Sequence, residues 1–232
     1  MGVLLKLFAS ASILFVFACV RIYIILPGSK PKRSITGRTH PTAKLAVFLG
    51  SGGHTSEAIS LLSALDFERY TPRIYVVSEG DSLSVQKAQA LESKKIPLRN
   101  PYDKPQFKIL TVPRARKVHQ PLFTTPLTAS FSLLKCIYYV TVVPLTSAPN
   151  DYFSDVLIVN GPGTCFVLCL AVFLNKFLGL QAPRVIYVES FARVKSLSLS
   201  GKLLQYIVDR FIVQWPTLLI DRKRGECHGW LV

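Results

Sequence analysis

Acidic residues are scarce in this chain: 13 Asp and Glu stand against 28 Lys and Arg in 232 residues, a net charge of +15. No acid precedes Glu57. Such a balance says nothing of fold but favours an anionic partner: nucleic acid, a phosphorylated substrate or a membrane surface. Zinc-ligand spacing and CxxC pairs are also missing. The five cysteines (Cys19, Cys136, Cys165, Cys169, Cys227) lie mostly in apolar runs, so they read as reduced, buried thiols in a reducing compartment. No solenoid-type repeat occurs. No basic helical stripe with stacking aromatics occurs either, which argues against nucleic acid. Gly-Lys-Ser/Thr is absent, so there is no Walker A loop. At 50% hydrophobic and 18% charged, the chain is too apolar for disorder.

One long apolar run is present. Val3 to Leu26 is interrupted only by Lys6 and Arg21, and its 24 residues form a helix of about 36 Å, enough to cross a hydrocarbon core of ~30 Å. The two bases sit near its ends, where they can snorkel to head groups. No small-x-small cleavage site precedes the basic stretch, so an anchor over 3–26 is favoured above a cleaved signal peptide. Lys30, Lys32, Arg33 and Arg38 follow the run. Positive flanks place the C-terminal part on the cytosolic side. A linker over 27–43, rich in Pro, Ser, Thr and base, leads to the remaining 44–232.

Strand-like runs then alternate with helix-compatible segments. Strands are expected at 44–49, 73–78, 107–112, 155–160, 184–189 and 211–215, and helices near 55–65, 82–94, 122–140, 164–179 and 200–208. Near-continuous Val/Ile/Leu/Tyr runs suit parallel strands buried on both faces. The alternation predicts an α/β fold with a Rossmann-like parallel sheet. About 190 residues make one domain. The apolar segment Phe131–Leu145 looks short for a span; an amphipathic helix packed on the sheet or dipped in a membrane surface is expected.

Two glycine loops follow strands. In "GSGGHTSE", Gly50, Gly52 and Gly53 permit backbone N–H groups to approach an oxyanion, with Ser51 among them. Thr55 or Ser56 is expected to cap the helix, with Glu57 in its first turn. A dinucleotide fingerprint wants glycine where Thr55 stands, although Glu79 resembles a ribose-binding acid, so a membrane-tethered NAD-linked oxidoreductase is an alternative. His54 faces the crevice as a proton acceptor, a hydrogen-bond donor to a phosphate or a plain cap; spacing does not choose. In "NGPGT", Asn160, Gly161, Gly163 and Thr164 reach the same sheet edge, or Thr164 simply caps a helix. Glu189 either serves chemistry or pairs with Arg193. The loop "VPRARKVHQP" brings Arg114 and Arg116 to a position where they can touch phosphates, or forms a solvated charge run.

Together "GSGGHTSE", "VPRARKV", "NGPGTC", "YVESFARV" and "VQWP" resemble the membrane-anchor subunits of the UDP-GlcNAc transferase of asparagine-linked glycosylation. Those are similar to the N-terminal half of the bacterial GT-B peptidoglycan GlcNAc transferase. The resemblance implies half of a GT-B enzyme and a soluble donor-binding subunit as partner. It implies transfer of a second GlcNAc from UDP-GlcNAc to dolichyl-diphosphate-GlcNAc at the endoplasmic reticulum, with no metal or other cofactor. His54 or Glu189 would be the base, and the glycine loops with Thr55, Arg114, Arg116, Asn160 and Thr164 would bind substrate. A non-catalytic recruiting scaffold is the other alternative. The terminal "GWLV" would pack at the subunit interface. Ser51 departs from the bacterial pattern, which has glycine there.

Overall fold

The computed structural model describes residues 2–29, 42–95, 106–116, 120–147, 151–161, 163–220 and 224–231. Most of the 27–43 linker lies outside them, as do Lys104, Lys117, His119 and Pro162. A 7-stranded parallel sheet forms from β1 (Leu45–Leu49), β2 (Arg73–Ser78), β3 (Phe107–Val112), β4 (Val156–Val159), β5 (Arg184–Val188), β6 (Arg210–Val213) and β7 (Glu226–Cys227). Its order is β3-β2-β1-β4-β5-β6-β7. This is the doubly wound Rossmann-like order with one further strand, and it reverses direction between β1 and β4.

The six strands read from the sequence are present with ends shifted by no more than two residues. Their apolar runs are continuous because both faces are covered. In β1, Ala46 and Phe48 enter one core cluster and Leu45, Val47 and Leu49 the other, as the two-residue period dictates. The second cluster is closed by α2 (Gly52–Ser63) and α3 (Ser82–Lys95). The first is closed by α4 (Thr125–Ile137), α6 (Gly163–Leu178) and the short α7 (Leu199–Leu204).

Between α4 and α6 the helix does not stop. A π turn at Tyr138–Val142 carries it into α5 (Val143–Ser147), a continuous 23-residue helix from Thr125. Pro144 causes the irregularity, since it lacks the N–H that would reach back to Val140. The Asn175 Nδ2 donates to the stranded Val140 carbonyl at 3.3 Å, and its Oδ1 accepts from Thr141 Oγ1 at 2.6 Å. The segment is therefore longer than the 131–145 run suggested, and it meets the length and hydropathy of a span. One face (Ser132, Cys136, Val140, Pro144) is nevertheless buried on the domain. The other exposes Leu127, Phe131, Leu134, Tyr138 and Leu145.

The N-terminal α1 (Gly2–Ile25) is apolar and largely exposed. Arg21 does not reach toward head groups as its position suggested. Its guanidinium donates to the Phe177 and Lys176 carbonyls at 2.9 and 3.0 Å, capping α6 where carbonyls lack helical partners. Gly179, at φ 76, turns the chain there and leaves room for the Arg21 side chain.

Candidate functional site

The two glycine loops meet at the sheet's switch point, because β1 and β4 are neighbours and each loop leaves a strand's C-terminal end. A Cβ placed on Gly161 would lie 3.4 Å from Gly50 Cα and 3.3 Å from the His54 ring, and its φ of 126 is a glycine conformation. Helix α2 begins earlier than the sequence suggested. Its N-cap is Ser51, at φ 65 and ψ 156, with no side-chain cap bond, so neither Thr55 nor Ser56 caps it. Gly52 and Gly53 are exposed and open to space where a Cβ would stand. First-turn N–H groups of α2 therefore face the crevice without helical acceptors.

His54 is half-buried in this first turn. Its Nδ1 lies 2.9 Å from Asn160 Oδ1. Asn160, at the end of β4 and 1% exposed, donates from Nδ2 to Glu57 Oε2 at 2.6 Å. Glu57 Oε1 accepts from Ser190 Oγ at 2.8 Å and from Phe191 N at 3.2 Å. Three loops, after β1, β4 and β5, are thus tied through one chain of hydrogen bonds. Sequence reading placed Glu57 in a first turn for its charge and missed this role. The signal was its position one turn after His54 on the same helix face.

Three other candidate residues are held inside the fold. Thr55 is buried, with its hydroxyl 2.6 Å from Ser84 Oγ, so it fastens α2 to α3 and does not line the crevice. Thr164 is buried too; it accepts from Ala115 N at 3.1 Å, holding the loop after β3 against α6. Glu189 is 1% exposed and accepts from Ser190 N, Ser198 N, Ser198 Oγ and the Tyr187 hydroxyl. Its carboxylate organises the loop that follows β5. That leaves it no open lone pair directed at a substrate, and it does not pair with Arg193. Gly201 packs so closely on it that a Cβ there would lie 2.2 Å from Glu189 Oε2.

Arg114 and Arg116 lie on the loop after β3, at the same sheet edge. Arg114 Nε donates to the Glu79 carbonyl at 3.3 Å, and Arg116 donates to the Gln120 carbonyl. Arg116 is exposed and Arg114 half-buried. Cys165 and Cys169 sit in the core; burial pushes both thiols well above their ordinary pKa. Cys165 Sγ donates to the Gly161 carbonyl at 2.9 Å, a further tie on the second glycine loop. Among the described residues no cluster of His, Cys, Asp or Glu is placed to hold a metal ion. Of "GWLV", the described part folds back: Trp230 packs edge-on to Phe191 and tilted against Trp215, and Leu231 N donates to Gln214 Oε1.

The chain that carries this crevice is similar to known proteins. The family described as "Oligosaccharide biosynthesis protein Alg14 like" matches residues 45–231. A UDP-N-acetylglucosamine transferase subunit of Cryptococcus neoformans is 47% identical over 205 residues, covering 87% of this chain and 86% of that one. The subunit of Schizosaccharomyces pombe is 49% identical, covering 80% and 81%. That of Rattus norvegicus is 35% identical over 98% of both chains. A UGT transferase from Siraitia grosvenorii, solved in complex with UDP, aligns at a TM-score of 0.35 and 14% identity over 70% of this chain and 29% of its own. On the family match and these identities, the chain belongs to the Alg14 family of oligosaccharide biosynthesis proteins.

Proposed function

We propose that this chain is the membrane-anchoring, acceptor-binding half of a two-subunit UDP-GlcNAc transferase. It binds dolichyl-diphosphate-GlcNAc on the cytosolic face of the endoplasmic reticulum. A soluble donor-binding glycosyltransferase subunit, recruited to its crevice edge, brings UDP-GlcNAc, and the second GlcNAc is transferred. The observation that carries this is a single Rossmann-like sheet whose switch-point loops converge on His54. A GT-B enzyme works between two such sheets, and the relatives' name, transferase subunit, supports a shared site.

In this reading the α2 first-turn amides and Arg114 and Arg116 hold the acceptor's diphosphate. His54 takes the proton of the acceptor hydroxyl as its oxygen attacks the anomeric carbon. The bond to UDP breaks on the opposite face, so configuration inverts, and the electrons leave with UDP. Helix N-termini and basic groups stabilise the departing charge without a metal. Glu189 shapes the loop beside the site and does not act as base.

The test is recovery of the full-length chain from a detergent extract, followed by assay for GlcNAc transfer to the lipid-linked acceptor. A co-purifying soluble glycosyltransferase chain with activity that falls about 10²- to 10⁴-fold in His54→Ala is the expected result. Absence of any such chain, or of transfer, overturns the proposal.

A further inference from the structure

Phe191 N–H is a backbone donor and cannot turn around; it meets Glu57 Oε1 at 3.2 Å. Ser190 Oγ meets the same oxygen, and the amide of Asn160 meets the other. The Glu57 carboxylate has no hydrogen to donate, so both of its oxygens accept. That orients Asn160: its NH₂ end points at Glu57 and its carbonyl end at His54. His54 Nδ1, 2.9 Å from that carbonyl, must then carry the hydrogen. The lone pair is left on Nε2, which has no hydrogen-bond partner among the described residues.

We infer that Glu57 is a positioning residue for His54, acting through the Asn160 amide to fix the imidazole as its Nδ1–H tautomer with Nε2 free to accept a proton. The inference rests on the proposed reading of His54 as base and adds what sets that base. The carboxylate does not touch the imidazole. Its influence passes through a side chain that is itself 1% exposed and bonded at both ends, so the ring cannot change tautomer unless Asn160 flips. Ser190 and Phe191, on the loop after β5, hold the carboxylate in turn.

Glu57→Gln, nearly isosteric, tests this. The Phe191 N–H still needs an acceptor, so the new amide turns its oxygen to Phe191 and its NH₂ to Asn160. Asn160 then flips and presents its own NH₂ to His54, which must accept at Nδ1 and carry its hydrogen on Nε2. The probe is long-range ¹H–¹⁵N correlation on the full-length, ¹⁵N-histidine-labelled chain in detergent, with His54 assigned by its loss in His54→Gln. The expected result is an Nδ1–H signature in the unmodified chain and an Nε2–H signature in Glu57→Gln. Ser190→Ala, which leaves Phe191 in place, keeps the Nδ1–H form. In the two-subunit transferase, Glu57→Gln lowers kcat about 10²-fold or more with little change in acceptor KM. An unchanged tautomer in Glu57→Gln overturns the inference whatever the activity. A switched tautomer with full kcat refutes the catalytic use of the arrangement. Full activity in His54→Ala defeats the base reading itself and leaves the tautomer result standing.

Discussion

Ser51 holds φ 65 and ψ 156, a region that is essentially glycine's, at the entrance of the helix that carries His54. Such a residue stores about 1–3 kcal/mol of strain. Glycine in its place gives back about 0.4–1 kcal/mol through the freer unfolded chain. Relief is the larger effect, so Ser51→Gly is expected to stabilise the domain by about 1 kcal/mol, read as a raised denaturation midpoint. A lowered midpoint would mean that the serine conformation is not strained. Gly201 gives the opposite case. Its Cβ would stand 2.2 Å from the buried Glu189 carboxylate, which four donors hold in place, so the acid cannot give way cheaply. Gly201→Ala should cost about 1–3 kcal/mol, and a neutral result would show that the loop after β5 yields. The demand at 51 shows only in the bacterial pattern, which has glycine where Ser51 stands, and the one at 201 was not visible in the sequence. Gly201 stands in an unremarkable "SLSGKLL", and only the fold brings Glu189 beside it.

At the scale of elements, β2 carries a buried arginine that its apolar pattern concealed. Arg73 makes a bidentate pair with Glu92 of α3 at 2.6 and 2.9 Å, and donates to the Phe67 and Tyr70 carbonyls. Tyr75 donates to the same acid at 2.7 Å, and burial followed by the Glu92 contact drives its phenol far above the ordinary range. Four of the five guanidinium N–H groups are used and the pair is buried, so removing one partner leaves a buried charge alone. Arg73→Met is expected to cost about 3–5 kcal/mol; a loss below about 1 kcal/mol by chemical denaturation would contradict this. The six longer strands were legible from their apolar runs, which double-sided burial makes near-continuous in the inner ones. The 2-residue β7 was not, since "RGECHG" has neither length nor apolar period. It is held instead by charge. Arg210, and then His228, bring Glu226 from 4.5 down to about 2. Its folded value lies below the unfolded one, so this stabilisation is present above about pH 4.5 and is lost as pH falls toward about 2. Trp230 lies 5.6 Å from Trp215 beside this strand, so tryptophan emission should report an acid transition in that window. The transition should vanish in Glu226→Gln, and persistence there would remove the ion pair from the account.

For the molecule as a whole, the layer formed by α4, α6 and α7 carries both apolar features that the domain does not bury. Arg21 fixes the end of α1 to the C-terminus of α6, and α4 packs along the same α6. The exposed row of Leu127, Phe131, Leu134, Tyr138 and Leu145 therefore belongs to the layer from which α1 leaves. Between Lys104 and Asn150 there is no acidic residue, while Lys108, Arg114, Arg116 and Lys135 are present, so this flank is repelled by no charge on an anionic bilayer. A helix lipid-exposed all round would not bury Ser132, Cys136 and Val140 on a protein core, which favours partial immersion over a second crossing. Sequence indicated the apolar run but not its far face, because burial of one side is decided by α6. The reading predicts that a nitroxide at Leu134→Cys, in the full-length chain with the exposed Cys19 and the half-buried Cys227 replaced, relaxes faster with oxygen than with a water-soluble nickel complex in anionic liposomes. A label at Ser63, at the end of α2 on the opposite layer, should show the reverse preference. Nickel accessibility at position 134 equal to that at position 63 would place the α4 face in water and leave α1 as the sole contact with lipid.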